Sequence, residues 1–345
     1  MLWHSLRHHQ EANRSVSQYF NVALQQHNAL QQVLRSFFAS DLESRTILDF
    51  ACGHGRNLRF LTLAAPAGRV WGCDIQQDAV DFVSREFGVN GLYSTADPDQ
   101  FEPGRKFDFI WVASLFSHLP EQLFHRWLAK LASLLTADGV LCFSVHGEAI
   151  LPANIAMPAG GIFFIPSSEN AQLDGSIYGT TFVTDTYVRY ALARVSGILG
   201  SYLRIPRGVA NEQDLYVATR KGRDLTALAA FRRGPWGWVD QLTISEAGKL
   251  RVQGWAGSFD DGALGEIEIL IDGEVHRVPT DVRREDVARV LGDERLAASG
   301  FDFSRNLARR IQASFLEVTA RSRRDELAMI YAGPVGPLHR NADHG

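Results

Sequence analysis

The chain has 345 residues, of which 46% are hydrophobic and 21% are charged, and its formal net charge is −4. This length suffices for two domains, and the composition supplies a large core, which excludes a largely disordered chain. Acidic and basic residues are interspersed, so the basic face that is typical of nucleic-acid binders is not indicated. The three cysteines, Cys52, Cys73 and Cys142, lie in or beside predicted core strands, as expected in a reducing compartment. We therefore expect a cytoplasmic protein.

The N-terminal segment, residues 1–44, is predicted to be helical. Residues 1–15 are polar and rich in histidine, and they lack the apolar core of a signal peptide. Apolar residues recur at helical spacing between Val16 and Phe38, which predicts an amphipathic helix. No apolar run approaches the ~20 residues that a membrane helix needs, so no membrane span is expected.

Residues 46–58 are the most informative stretch of the chain. They begin as an apolar strand that contains Asp49 and continue into a loop with Gly53 and Gly55 two residues apart. Glycines let a backbone approach a ligand without a Cβ in the way. A helix that is predicted to begin near Arg56 would present free N–H groups beside this loop. An acidic residue at a strand end followed by a glycine-rich turn indicates a site for a nucleoside-carrying cofactor.

The spacing of the glycines indicates which cofactor. A dinucleotide fingerprint, G-x-G-x-x-G, needs a third glycine where Leu58 stands. The frame instead fits D-x-G-x-G-x-G through Asp49, Ala51, Gly53 and Gly55, with alanine in place of the first glycine. This pattern resembles motif I of the class I S-adenosylmethionine (SAM)-dependent methyltransferases. The resemblance implies that SAM is the cofactor and that these four residues line its site.

A second strand, residues 69–75, also ends in an acid. Asp74 follows the glycine loop by about 20 residues, a spacing at which a carboxylate accepts the hydroxyl protons of a ribose. The alternative is that Asp74 only caps the helix predicted over Gln76–Phe87. Three further cofactor contacts are expected at His54, which would orient the loop or touch the cofactor carboxylate, at Ile75 and at Ser114.

Strands and helices alternate through the rest of the first 220 residues. Residues 107–114 and 139–147 read as strands on either side of a helix predicted over Glu121–Leu135. Gly200–Ile205 and Gln213–Thr219 are expected to form a closing antiparallel hairpin. This alternation of strands and helices predicts an α/β fold with a doubly wound, mostly parallel seven-stranded sheet.

Residues 107–120 also resemble the motif IV region of the same methyltransferases. The resemblance therefore covers roughly residues 45–220, which we interpret as the methyltransferase domain. In many such enzymes an N-terminal helix covers the cofactor cleft. Ordinary packing of that helix on the sheet is the alternative.

A boundary is predicted in the linker 221–235, after which short strands with period-2 alternation begin. Residues 236–332 are expected to form a small antiparallel β-sandwich-like domain, and residues 333–345 a flexible tail. The domain resembles β-rich modules appended to bacterial glycosyltransferases and methyltransferases of surface-polysaccharide biosynthesis. Trp236 and Trp255 would provide a sugar-stacking platform or, alternatively, core or interdomain contacts. Dimerisation is another possible role, so a homo-oligomer is one expectation.

Two histidines are candidate general bases because histidine titrates near neutral pH. His118 follows the strand that ends at Ser114, and His146 lies at the end of the next strand, where open α/β sheets bind ligands. The loop over residues 147–190 is long and is therefore expected to carry function. Within it, Tyr178 and Glu169 are the candidate acceptor contacts, and a β-hairpin at the sheet edge is the alternative interpretation.

The leading hypothesis is a SAM-dependent methyltransferase that methylates a hydroxyl of a sugar, glycan intermediate or other small polar acceptor. Its alternatives are a catalytically silent scaffold or glycan-binding protein and a nicotinamide-dependent reductase. Nucleic-acid methylation is disfavoured because Ala113-Ser114-Leu115-Phe116 stands where an Asn/Asp-Pro-Pro-Tyr motif would place a flipped base. No Cys/His cluster has the spacing of metal ligands, so no metal is expected.

Overall fold

The computed structural model describes residues 11–39, 41–168, 173–245, 247–307 and 314–335. The chain divides into two compact units. One comprises residues 26–231, and the other joins the residues up to 25 with those from 232 onward. Helix α1, Ala12–Phe38, therefore has residues in both units.

The larger unit alternates strands and helices along the chain. In order, its elements are β1 Ile47–Phe50, α2 Leu58–Ala64, β2 Val70–Asp74, α3 Gln77–Phe87, β3 Asn90–Tyr93, β4 Phe107–Val112, α4 Glu121–Ser133, β5 Leu135–Gly147, β6 Ile162–Ile165, β7 Thr180–Val183, α5 Asp185–Ala193, β8 Ser201–Val209 and β9 Gln213–Thr219.

The sheet of this unit confirms the predicted fold. Strands β3, β2, β1, β4 and β5 are parallel neighbours in that order, β9 pairs antiparallel with β5, and β8 closes the edge beside β9. The hairpin of β6 and β7 extends the sheet at the end of β5, where His146 pairs with Phe182. Every residue of β1 and β2 is buried, because helices cover both faces of a parallel sheet.

Two helix boundaries differ from the sequence prediction. Helix α2 begins at Leu58 rather than near Arg56, because the backbone turns through Gly55 in a left-handed conformation. Helix α4 ends at Ser133, and Leu135 already belongs to β5.

The smaller unit contains two four-stranded antiparallel sheets. Its elements are β10 Pro235–Ile244, β11 Lys249–Ser258, β12 Gly262–Ala263, β13 Glu266–Ile271, β14 Glu274–Pro279, α6 Glu285–Leu291, β15 Gly300–Asn306, β16 Ser314–Arg321 and β17 Leu327–Val335. Alternate residues of β11 and β13 are buried in one apolar cluster, as expected for strands with one face on a core. Strand β17 continues to Val335, into the segment predicted as a tail, and residues 336–345 lie outside the described residues.

The first half of α1 packs within this smaller unit. Asn13 Nδ2 donates to the Tyr331 hydroxyl at 3.2 Å and to the Pro334 carbonyl at 3.1 Å. The hydroxyl of Ser17 accepts the Ala332 N–H at 2.9 Å. The N-terminal segment that was predicted as one piece thus supplies residues to both units. None of the described helices is long and apolar enough to cross a membrane.

Candidate functional site

The loop after β1 has an unusual backbone. Ala51, Gly53 and Gly55 have φ angles of 59°, 51° and 71°, all in the left-handed region. A Cβ on Gly55 would lie 2.6 Å from a ring carbon of Phe87 and 2.8 Å from Val83, so this glycine lets α3 pack closely on the loop. A Cβ on Gly53 would meet no atom within 4 Å. Gly53 therefore borders open space, as a glycine that faces a ligand does.

Asp74, at the end of β2, is tied to this loop. Its Oδ2 accepts the Gly53 N–H at 2.8 Å, and its Oδ1 accepts the Gln76 N–H at 2.9 Å. Burial raises the pKa of Asp74, and the backbone N–H groups of Gln76, Gly53 and Ile75 oppose this rise. The carboxylate thus bonds the N–H of Gln76, the residue before α3. Contact with a ribose stays a prediction.

Asp49, on β1, carries a buried oxygen that lacks a partner. Its side chain is in the core, and Oδ2 forms no hydrogen bond among the described residues. Burial raises the pKa of Asp49 to about 7, Asp74 adds to this rise, and Asn57 and Arg56 act against it. A buried polar atom without a partner is costly, and a ligand that supplies a donor or a positive charge removes that cost.

These features fit SAM, which carries a sulfonium, an ammonium and ribose hydroxyls. The open side of Gly53 leaves room for a ligand, and the Asp49 carboxylate suits a cationic group. If SAM is bound there, Asp49, Gly53 and Asp74 are the residues that would hold it.

Two of the predicted cofactor contacts lie at the margin of this loop. The His54 side chain is 54% exposed and lies 3.8 Å from the Asp78 carboxylate, and its ring centroid is 5.6 Å from that of Phe82. Ile75 directly follows Asp74 and is half-buried. A role for either residue in cofactor binding stays a prediction.

A polar network joins the carboxyl ends of β4 and β5. Ser114, with φ 60°, donates its N–H to Ser144 Oγ at 2.9 Å. Ser144 Oγ donates to Gln213 Oε1 at 2.5 Å, and Gln213 Nε2 lies 3.0 Å from Ser114 Oγ and 3.2 Å from His146 Nε2. The sequence patterns did not predict a role for Gln213. The available signal was its position as the first residue of an antiparallel strand, which places it beside the carboxyl ends of the parallel strands.

The structure brings the two candidate bases together. The ring centroids of His118 and His146 are 6.0 Å apart. His118 Nδ1 lies 2.7 Å from the Gly179 carbonyl oxygen, and its ring stacks on Tyr178 at 4.6 Å with an interplanar angle of 16°. Tyr178 therefore lies against a candidate base, whereas Glu169 is outside the described residues.

The two histidines differ in their surroundings. Burial and the nearby His118 lower the pKa of His146 to about 4, so His146 is neutral near pH 7. A neutral imidazole carries one N–H and one lone pair. At His118, donation from Nδ1 to the Gly179 carbonyl leaves the lone pair on Nε2.

The tryptophans of the smaller unit do not form a flat platform. The rings of Trp236 and Trp255 are 5.8 Å apart at 67°, and both residues are half-buried. Trp255 lies on β11, between β10 and β15. Arg284 lies beside Gly300 on β15 and forms an ion pair with Asp240 on β10, so its side chain crosses β11. This arrangement favours packing over sugar stacking.

Comparison with known proteins assigns the first half of the larger unit. Residues 47–139 match the family model of the methyltransferase domain. Solved structures with a similar fold include magnesium protoporphyrin IX methyltransferase from Synechocystis, with 15% identity over 58% of this chain and 84% of that chain and a TM-score of 0.40. A SAM-dependent methyltransferase from Clostridium acetobutylicum has 15% identity over 57% of this chain and 92% of that chain, with a TM-score of 0.42.

The plantazolicin methyltransferase in complex with S-adenosylhomocysteine has 12% identity over 64% of this chain and 94% of that chain, with a TM-score of 0.42. At these identities and scores, the likenesses say nothing about the acceptor. No curated protein matches the sequence. The matched segment contains the glycine loop, Asp74 and the end of β4. It is a class I SAM-dependent methyltransferase domain, and the cofactor of this enzyme is SAM.

Proposed function

We propose that this SAM-dependent methyltransferase transfers the methyl group to a hydroxyl of a small polar acceptor, a sugar or a glycan intermediate. The hydrogen bond between His118 Nδ1 and the Gly179 carbonyl carries the proposal. In the neutral ring this bond puts the proton on Nδ1 and the lone pair on Nε2, at the carboxyl edge of the sheet where ligands of open α/β folds bind.

The chemistry divides between cofactor and protein. Bound SAM supplies an electrophilic methyl group on a sulfonium. The acceptor oxygen must be placed in line with the bond that breaks, so much of the rate enhancement comes from orientation. The protein binds the cofactor through the glycine loop and holds the acceptor hydroxyl near His118. Nε2 of His118 takes the proton that this hydroxyl loses.

Three features hold His118 in place for that task. The residue is only 8% exposed, its ring stacks on Tyr178, and its backbone carbonyl accepts the Gly179 N–H at 2.8 Å. The ring therefore has one orientation, which a base needs if proton transfer is to be efficient. Because Gly179 and Tyr178 come from the segment before β7, the hairpin after β5 helps to build the acceptor side of the site.

A polar acceptor is favoured by the ends of the neighbouring strands. Ser114 is half-buried there, and the buried Ser144 and Gln213 bond to it and to each other. A hydroxyl such as that of Ser114 recognises hydroxyl-rich ligands by hydrogen bonds. The resemblance of the smaller unit to modules of surface-polysaccharide pathways supports a sugar in particular.

The test uses His118→Asn, since the Asn amide reproduces the Nδ1–H donor to Gly179 but has no Nε2 lone pair. Formation of S-adenosylhomocysteine is measured with nucleotide sugars, free sugars and glycan fragments as acceptors. We expect His118→Asn to lower kcat by about 10²- to 10⁴-fold and to leave SAM affinity unchanged.

His125→Asn is the matched control. His125 lies on α4 beside Tyr187, 3.3 Å from its hydroxyl, and its replacement should leave kcat as it is. Full activity of His118→Asn, or transfer only to nitrogen acceptors, would refute the proposal.

A further inference from the structure

The amide of Gln213 joins three strands at the carboxyl edge of the larger sheet. It is the first residue of β9 and is 9% exposed. Its two ends contact Ser114, after β4, and Ser144 and His146, on β5. A buried amide that uses both its oxygen and its nitrogen in this way fixes the relative positions of these groups.

The orientation of the amide follows from Ser144. Its Oγ accepts the Ser114 N–H at 2.9 Å and directs its own proton to Gln213 Oε1 at 2.5 Å. The N–H groups of the amide then face Ser114 Oγ and His146 Nε2. An N–H that donates to Nε2 requires a lone pair there. The proton of neutral His146 is then on Nδ1, which is buried and forms no hydrogen bond to the described residues.

We infer that Gln213 is a positioning residue that holds His146 in its Nδ1–H tautomer and Ser114 in its left-handed backbone conformation. The catalytic consequence rests on the proposed function. With Nε2 of His146 engaged by Gln213, His146 orients the site and takes up no proton from the acceptor, and the base is His118.

The charged groups around His146 are consistent with a neutral ring. His118 faces it from the loop after β4, and Phe182 of β7 packs against it at 5.4 Å. On β9, the Asp214 carboxylate lies beside Gly147, but it is already engaged by the Arg204 guanidinium at 2.8 Å. Asp214 also accepts the Arg207 N–H at 2.9 Å. The Asp214 carboxylate near the strand end is thus engaged by other donors.

The experiment measures by NMR which ring nitrogen of His146 carries the proton. The full-length protein is labelled with ¹⁵N-histidine, and His146→Gln identifies the resonances of the His146 ring. We expect Nδ1 to carry the proton in the wild type near neutral pH. In Gln213→Glu, a carboxylate that accepts replaces the amide that donates. The proton should then be on Nε2, and the pKa of His146 should rise from about 4.

The same variant is assayed for methyl transfer. Because His146 and Ser114 shift, kcat should fall by about 10- to 100-fold. Gln122→Glu, an exposed position on α4, is the matched control and should change neither the spectrum nor kcat.

The outcomes separate the two proposals. A wild-type His146 protonated on Nε2, or a Gln213→Glu spectrum identical to the wild type, overturns the inference whatever the acceptor. A wild type with the Nδ1–H tautomer that methylates no hydroxyl compound refutes the proposed function and leaves the assignment of Gln213 intact.

Discussion

The Gly53 N–H donates to Asp74 Oδ2 at 2.8 Å, so the glycine loop after β1 is bound to the acidic end of β2. The carboxylate that is predicted to hold the ribose therefore also shapes the loop beside it. Its second oxygen accepts the Gln76 N–H ahead of α3. One carboxylate thus couples the cofactor site to the packing of a helix.

Replacing Asp74 by asparagine should weaken SAM binding. The substitution keeps one carbonyl acceptor for the backbone and removes the charge, and hydrogen bonds to charged groups are worth about 1.5–3 kcal/mol. Isothermal titration should show SAM affinity reduced by about 10- to 150-fold. Asp78→Asn, whose side chain is 72% exposed, should bind SAM as the wild type does. Unchanged affinity in a folded Asp74→Asn protein would contradict the placement of the ribose.

Alanine at the two loop glycines should separate packing from ligand binding. In Gly55→Ala, the new Cβ would lie 2.6 Å from the Phe87 ring, so we expect the free energy of unfolding to fall by about 2–4 kcal/mol. In Gly53→Ala, the new Cβ meets no protein atom within 4 Å, and only the backbone cost of about 1–2 kcal/mol remains. Its larger effect should be on SAM affinity.

Urea unfolding and SAM titration of both loop variants test this separation. Equal losses of stability would show that the space beside Gly53 is not open.

Ala51 stands in the left-handed region, with φ 59°. This conformation costs a residue with a Cβ about 1–2 kcal/mol. Glycine avoids that cost, but the greater entropy of its unfolded chain offsets part of the gain in stability. Ala51→Gly should therefore raise the free energy of unfolding by up to about 1 kcal/mol. Ala129→Gly, within α4, should lower it by about 1 kcal/mol. Destabilisation of similar size in both variants would show that Ala51 is not strained.

Asp49 should make stability depend on pH. Burial raises its pKa from 3.8 to about 7, so between these values the folded protein binds more protons than the unfolded chain. The stability that protonated Asp49 contributes is fully present below its unfolded-state pKa of 3.8 and is lost as the pH rises through about 7. Asp49→Asn should remove this loss and raise the free energy of unfolding at about pH 8 by a few kcal/mol.

Urea titrations of wild type and Asp49→Asn at about pH 5 and about pH 8 measure the difference. Burial also raises the pKa of Asp74, so a slope of the same sign remains in the variant. An Asp49→Asn protein that gains no stability at the higher pH would show that Asp49 is not buried as a carboxylate.

The sequence predicted the sheet, and it predicts a cofactor loop at the edge of this sheet, because both predictions depend on local patterns. Apolar runs predicted β1 and β2. Asp49 lies beside the end of β1 and Asp74 at the end of β2, and their spacing from Gly53 and Gly55 can be read directly from the sequence. The alternation of strands and helices predicted the parallel strands, and the hairpin of β6 and β7 brings the observed sheet to nine strands.

The contacts of Ser114 and His118 could not be predicted by the same reasoning. The partner of Ser114 is Gln213, 99 positions away, and the partner of His118 is a backbone carbonyl that has no side-chain signature. The first contact arises only when β9 returns antiparallel beside β5, and the second only when the segment before β7 packs against the loop after β4. The hydrogen bond from Asn13 to Tyr331 was not predicted either, because no local sequence pattern indicates a contact between residues so far apart in the chain.

The most direct test of the account is titration of the purified protein with SAM, S-adenosylhomocysteine and NADH, each into the wild type and into Gly53→Ala. We expect micromolar binding of both adenosyl compounds to the wild type, weaker binding to Gly53→Ala and no binding of NADH. Tight NADH binding, or adenosyl binding that Gly53→Ala leaves unchanged, would contradict the assignment of this loop as the SAM site.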